Sequence, residues 1–93
     1  MYHLQVLTPE EIIFDDQVMA LIAPGSLGYL GILTHHAPLI TTLKIGTLII
    51  TDKNKNKHFY HISGGFLEVN HNEASLLVDH IQPAAAINIA GGI

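Results

Sequence analysis

The chain has 93 residues, 48% of them hydrophobic, and no cysteine, so it is read as one domain on one core: roughly 60 to 65% of the unfolded surface is buried at this size, and disulfides, thiolate nucleophiles and cysteine-type zinc sites are excluded. Four lysines and no arginine stand against eight carboxylates for a formal charge of -4, a balance that cannot build the basic face a nucleic acid requires. Apolar runs such as Val18 to Ala23 fall far short of the roughly 20 residues that span a bilayer as a helix, and the N-terminus lacks the pattern of a signal peptide, so membrane association is expected only through a partner.

In chain order the sequence predicts an all-β fold of eight to roughly ten short strands, punctuated by Gly, Pro, Asn and Asp in the manner of a sandwich or barrel. His3 to Thr8 alternates polar and apolar, and Ile12 to Phe14 returns after Pro9-Glu10-Glu11 as the second arm of a hairpin. Asp15-Asp16 is expected to turn the chain into Gln17 to Ala23, which carries Val18, Ala20 and Ile22 on one face and Met19, Leu21 and Ala23 on the other. A strand apolar on both faces is central or meets a partner. Pro24 to Pro38 follows as a long shaped loop, with Gly25, Gly28 and Gly31 spaced by three and His36-Ala37-Pro38 closing it; such loops commonly carry function.

Leu39 to Leu43 and Thr47 to Thr51 read as separate strands across a Lys44-Ile45-Gly46 turn, and Lys53 to Lys57 reads as a polar hairpin tip. Phe59 to Ser63 and Phe66 to Val69 are divided by a break or bulge at Gly64-Gly65, and Asn70-His71-Asn72 turns into Ala74 to Val78. Between Pro83 and Gly91-Gly92 the three alanines leave at most two helical turns, too few to be stable alone in water. Residues 1–80 are therefore expected to form the single domain and residues 81–93 a short tail.

Residues with chemical potential resolve poorly into sites. Seven histidines invite a metal, yet adjacent His35 and His36 point apart on an extended chain, and His58 with His61 has helical rather than strand spacing. A small metal-dependent β-sandwich enzyme using His36 and His61 remains an alternative, as does a generic β-sandwich interaction module. Ser26, Ser63 and Ser75 lack a nucleophile elbow, and the paired acids Glu10-Glu11 and Asp15-Asp16 are read as solvated turn residues. Gly25, Gly28 and Gly31 meet no nucleotide-binding fingerprint, because no lysine follows and no helix opens after them. No catalytic, cofactor-binding or metal-ligating residue is assigned. Val18 to Ala23 and Leu39 to Leu43 are the candidate apolar contact face.

The ordered set His3-Leu4-Gln5-Val6-Leu7-Thr8-Pro9, Phe14, Ala23-Pro24-Gly25, Gly28-Tyr29-Leu30-Gly31-Ile32-Leu33, His36-Ala37-Pro38-Leu39, Thr42-Leu43-Lys44, Gly46 and Ser63-Gly64-Gly65-Phe66-Leu67-Glu68-Val69 resembles the N-terminal β-sandwich domain of the epsilon subunit of F-type ATP synthases. The resemblance implies a roughly ten-stranded sandwich without enzymatic activity of its own or cofactor. It would act in the central stalk of a proton-translocating synthase, peripheral on the cytoplasmic face of a bacterial inner membrane or an equivalent membrane. Its partners would be the gamma subunit and the c-ring. By the same resemblance Gly28, Tyr29, Leu30, Gly31, Ile32 and Leu33 form the loop that meets the ring, and His36, Ala37, Pro38 and Leu39 lie at the rotor interface. Tyr29 stands where many relatives carry an acid, and His35 where glycine is frequent. Ile87-Asn88-Ile89-Ala90-Gly91 departs from the pattern of ATP-binding relatives, so neither ATP binding nor inhibition by a C-terminal helical hairpin is expected. Gly31 is expected to hold a positive φ, which would make Gly31→Val disruptive.

Overall fold

A computed structural model describes residues 1–84, in which seven strands follow one another: β1 (Tyr2–Leu7), β2 (Ile12–Gly25), β3 (Gly28–Leu33), β4 (Leu39–Asp52), β5 (Lys57–Asn70), β6 (Glu73–Val78) and β7 (Ile81–Pro83). The all-β class holds, and the opening hairpin, the lysine tip and the Asn70–Asn72 turn fall where expected. The count of roughly ten is corrected to seven. Strands β2, β4 and β5 run for 14 residues each, straight through the three places read as breaks. Asp15-Asp16 stays in β2, opposite Gln5 and Leu4. Lys44 to Gly46 stays in β4, where Leu43 pairs with Gly65 and Ile45 with Ser63 without a shift of register. Polar and glycine residues at these points mark bends rather than chain reversals.

The bends let one strand serve two neighbours. β2 pairs with β1 through Val18 and with β3 from Ala20 onward. β5 pairs with β6 from Gly65 to Asn70 and with β7 from Tyr60 to Ile62. The sheet order β1-β6-β5-β4-β2 closes because β2 also pairs with β1, giving a five-stranded ring whose one parallel seam is β1 against β6. Closure of this kind removes free edges. β3 hangs on β2 outside the ring, and β7 on β5, so the sheet runs past the boundary expected at residue 80. The tail readings that rest on Ala85 to Ile93 lie outside the described residues.

Alternation fills the ring: β1 sends Tyr2, Leu4 and Val6 inward, and β6 sends Ala74, Leu76 and Val78. Each fully buried Leu or Val contributes about 1.5–3 kcal/mol. Strict alternation fails twice in β2: an irregularity between Val18 and Ala20 resets the parity, and a second between Ile22 and Gly25 leaves Ala23, Pro24 and Gly25 buried in succession. Val18, Leu21 and Ala23 are buried together, while Met19 and Ile22 face outward, so the two-faced assignment by odd and even positions is corrected. At Gly65, φ is +151° and an added Cβ would stand 2.3 Å from the Leu77 carbonyl oxygen. Only glycine lets β5 cross so close to β6.

Candidate functional site

Residues Gly28 to Leu33, expected as a loop, form the edge strand β3, joined to β2 by a two-residue turn at Ser26-Leu27. The glycines and prolines that suggested a loop instead punctuate a hairpin arm. Leu27 is fully exposed at its tip, and Tyr29 and Leu33 are more than half exposed along it. Leu33 stands opposite Ala20 and Gly31 opposite Ile22, so the outward Met19 and Ile22 of β2 continue the same apolar surface. Gly31 has no positive φ, and an added Cβ would meet nothing within 4 Å. The positive φ of this arm is at Gly28, +136°. The disruptive effect expected of Gly31→Val therefore loses its physical basis.

Three further features anchor the arm. The Tyr2 hydroxyl, buried in the core, donates to the Ile32 carbonyl at 2.6 Å, and burial pushes that phenol well above its ordinary pKa. Ser26 donates its amide to the Thr42 carbonyl at 3.1 Å. Tyr29 does not simply point away, because its hydroxyl accepts the Thr47 amide of β4 at 3.0 Å.

His35 and His36 lie between β3 and β4. His35 adopts φ 63°, the left-handed conformation that glycine takes without strain, and its amide donates to Asn72 Oδ1 at 2.7 Å. Asn72 in turn donates to the Met1 carbonyl at 3.1 Å, so one side chain ties the N-terminus, the β3–β4 loop and the β5–β6 turn. The half-buried His36 turns Nδ1 to the Ala37 carbonyl at 2.7 Å. Pro38 is exposed, and Leu39 packs against the core while pairing with Val69.

His36 and His61 do not converge. His61 pairs with Thr47, eight residues along β5 from the Leu39–Val69 pair beside His36, a path of roughly 26 Å at 3.3 Å per residue. Among the described residues no group of three or more His, Cys, Asp and Glu is arranged to hold a metal ion. The ion pairs are structural in character: His3 with Asp15 across β1 and β2, Lys53 with Asp16 at 3.4 Å, and His58 with Asp52 at 2.8 Å beside the lysine tip.

The ring's outer surface carries a feature that sequence reading missed. Ile12 pairs with Leu7, Leu7 with Leu77, and Leu77 with Phe66, so four apolar residues from β2, β1, β6 and β5 stand in one row. Ile12, Leu77 and Phe66 are exposed at 57%, 51% and 52%. Ile40, on β4 opposite Glu68, is 66% exposed beside this row. Of the two segments expected to form an apolar face, Val18 to Ala23 is half core, and Leu39 to Leu43 contributes chiefly Ile40. No single segment signals the row; it exists only once the strand register is known.

Residues 1–84 match the family described as ATP synthase, Delta/Epsilon chain, beta-sandwich domain. The chain is 37% identical over 89 residues to the ATP synthase epsilon chain of Protochlamydia amoebophila, covering 96% of this chain and 60% of that one. It is 45% identical over 78 residues to the epsilon chain of Leptospira borgpetersenii, covering 84% and 61%. It thus spans about 60% of the length of these curated relatives. A chain in the Euglena gracilis mitochondrial ATP synthase, solved with OSCP, F1 and c-ring, superposes with a TM-score of 0.83 at 26% identity over 95% of this chain and 56% of its own. A chain of the Tetrahymena thermophila central stalk and c-ring shares the fold, with a TM-score of 0.72 at 20% identity over 86% of this chain and 64% of its own. The chain belongs to the ATP synthase delta/epsilon family and carries its β-sandwich domain.

Proposed function

We propose that this chain is a non-catalytic central-stalk subunit of a proton-translocating F-type ATP synthase, peripheral on the cytoplasmic face of a bacterial inner membrane or an equivalent energy-transducing membrane. It turns with gamma and the c-ring, and its work is mechanical: a closed, hydrogen-bonded ring resists shear while ion flow drives rotation and other subunits make ATP. The observation that carries the reading is the combination of a closed ring with exposed apolar residues both along its outer row and on the β2–β3 arm, in a chain whose relatives are named ATP synthase epsilon chains. A subunit that bridges two rotor partners needs two such surfaces.

The row Ile12, Leu7, Leu77 and Phe66, with Ile40 beside it, is assigned to gamma. It crosses four strands of the closed ring. The arm from Gly28 to Leu33 is assigned to the c-ring, with His36, Ala37, Pro38 and Leu39 at the adjoining rotor interface. Leu27 at the arm's tip is free to enter a shallow apolar contact. Affinity capture with the tagged chain from detergent-solubilised membranes containing intact synthase tests the assignment. Retention of gamma and c-ring together with the catalytic subunits is expected. Retention of none of them would overturn the rotor reading.

A further inference from the structure

We propose that Tyr29 is a positioning residue that ties the edge strand β3 across β2 to β4, and that Gly46 provides the space this tie requires. β3 closes the sheet order and, among the described residues, ladders with β2 alone. Beside the arm the β2–β4 ladder is interrupted: Ile22 pairs with Ile49 and Gly25 with Leu43, and no register pair falls between them. Pro24 occupies the gap and has no amide to donate. The Thr47 amide opposite this gap takes its acceptor from the side chain of a more distant strand, the Tyr29 hydroxyl at 3.0 Å.

The phenol reaches Thr47 by crossing Pro24, the β2 residue paired with Tyr29. It then lies over Gly46, where an added Cβ would stand 2.8 Å from the phenol oxygen and 2.6 Å from Pro24 Cβ. One residue from each of three strands is therefore fitted to the others: Pro24 leaves the gap, Gly46 leaves the room and Tyr29 fills both. From the inside, Tyr2 holds Ile32 near the other end of β3. Two phenols, one buried and one outside, thus fix an arm that would otherwise hinge on a single ladder. The consequence for rotation rests on the rotor reading above: an arm that meets a turning ring transmits force only if it does not swing on β2.

Amide hydrogen exchange resolved by NMR on this chain tests the tie independently of that reading. Tyr29→Phe is expected to speed exchange at Thr47 roughly tenfold, as the loss of one hydrogen bond to an amide facing solvent requires, with Ile50 and Leu67 unchanged. Gly46→Ala is expected to expose the same amide by displacing the phenol and, because its added Cβ also stands 2.6 Å from Pro24 Cβ, to speed exchange at Thr47 at least as much as Tyr29→Phe does. Unchanged protection of Thr47 in Tyr29→Phe would overturn the tie. In the reassembled synthase, Tyr29→Phe is expected to lower the number of protons pumped per ATP hydrolysed. Parental coupling alongside faster Thr47 exchange would overturn the rotor consequence. If the parent chain itself failed to enter the complex, the rotor reading would fall and the exchange result would still decide the tie.

Discussion

His35 holds a backbone conformation that its own Cβ opposes. At φ 63° an L-residue pays roughly 1–2 kcal/mol, offset here by the 2.7 Å bond from its amide to Asn72. Glycine keeps the amide and removes the clash, at an entropic cost of about 0.5–1 kcal/mol. His35→Gly is therefore expected to stabilise the chain by about 0.5–1 kcal/mol, a rise in Tm of roughly 3–6 °C for a domain this size, measured by thermal unfolding followed by circular dichroism. No rise would mean that the His35 side chain supplies a compensating contact. Part of this was legible: a histidine where relatives often have glycine already marked the position. The neighbouring glycines were not, because sequence weighs Gly31 and Gly65 alike. Gly31 faces open space, whereas Gly65 is forced by a carbonyl of β6, and no local pattern says which strand will pass overhead.

At the scale of elements, the β4–β5 hairpin is held by one carboxylate at its base. Asp52 accepts from His58 Nε2 through Oδ2 at 2.8 Å and from the amides of Asn54 and Asn56 through Oδ1 at 2.8 and 2.9 Å. The His58 hydrogen bond first, and then the Asn56 and Asn54 amides, hold the Asp52 carboxyl below its ordinary value. Because its folded pKa is the lower one, its contribution is complete above the unfolded pKa near 3.9 and is lost as pH falls through the folded value. The parent chain is expected to lose Tm as pH falls from 5 to 2.5, and Asp52→Asn to lose less over the same interval. Equal slopes would show that other carboxylates, such as Asp16 with its Gln17 amide bond, govern acid sensitivity alone. The hairpin's Lys-Asn composition made its tip legible. The long strands were not, because each bend in β2, β4 and β5 uses the residues that elsewhere end a strand, and only the continuing ladder distinguishes a bend from a turn.

The molecule as a whole sets an inner surface, which is fully buried, against an outer row, which the fold leaves half in water. Phe66 and Leu77 face each other across β5 and β6 with about half of each side chain in water. Replacing both by serine forfeits the half of each side chain that the free chain already buries, roughly 1.5–3 kcal/mol for the pair, so the double variant is expected to melt roughly 6–24 °C below the parent and is compared with it at a temperature where both are folded. On the proposed assignment of this row to gamma, affinity for gamma is expected to fall as well. Completing the burial of each side chain is worth about 0.75–1.5 kcal/mol, half of a full burial. The pair then accounts for roughly 1.5–3 kcal/mol, about a 12- to 140-fold loss of affinity. Calorimetry of parent and variant with purified gamma measures this, with Lys55→Ser at the exposed hairpin tip expected to bind as the parent does. A double variant with parental affinity would remove the row from the gamma interface and leave the β2–β3 arm as the remaining apolar contact. The row could not be read from sequence because its members sit 5 to 70 residues apart. Closure of the ring through the β1–β6 seam is what lines them up, so the same pairing that seals the core also assembles the surface a partner can grip.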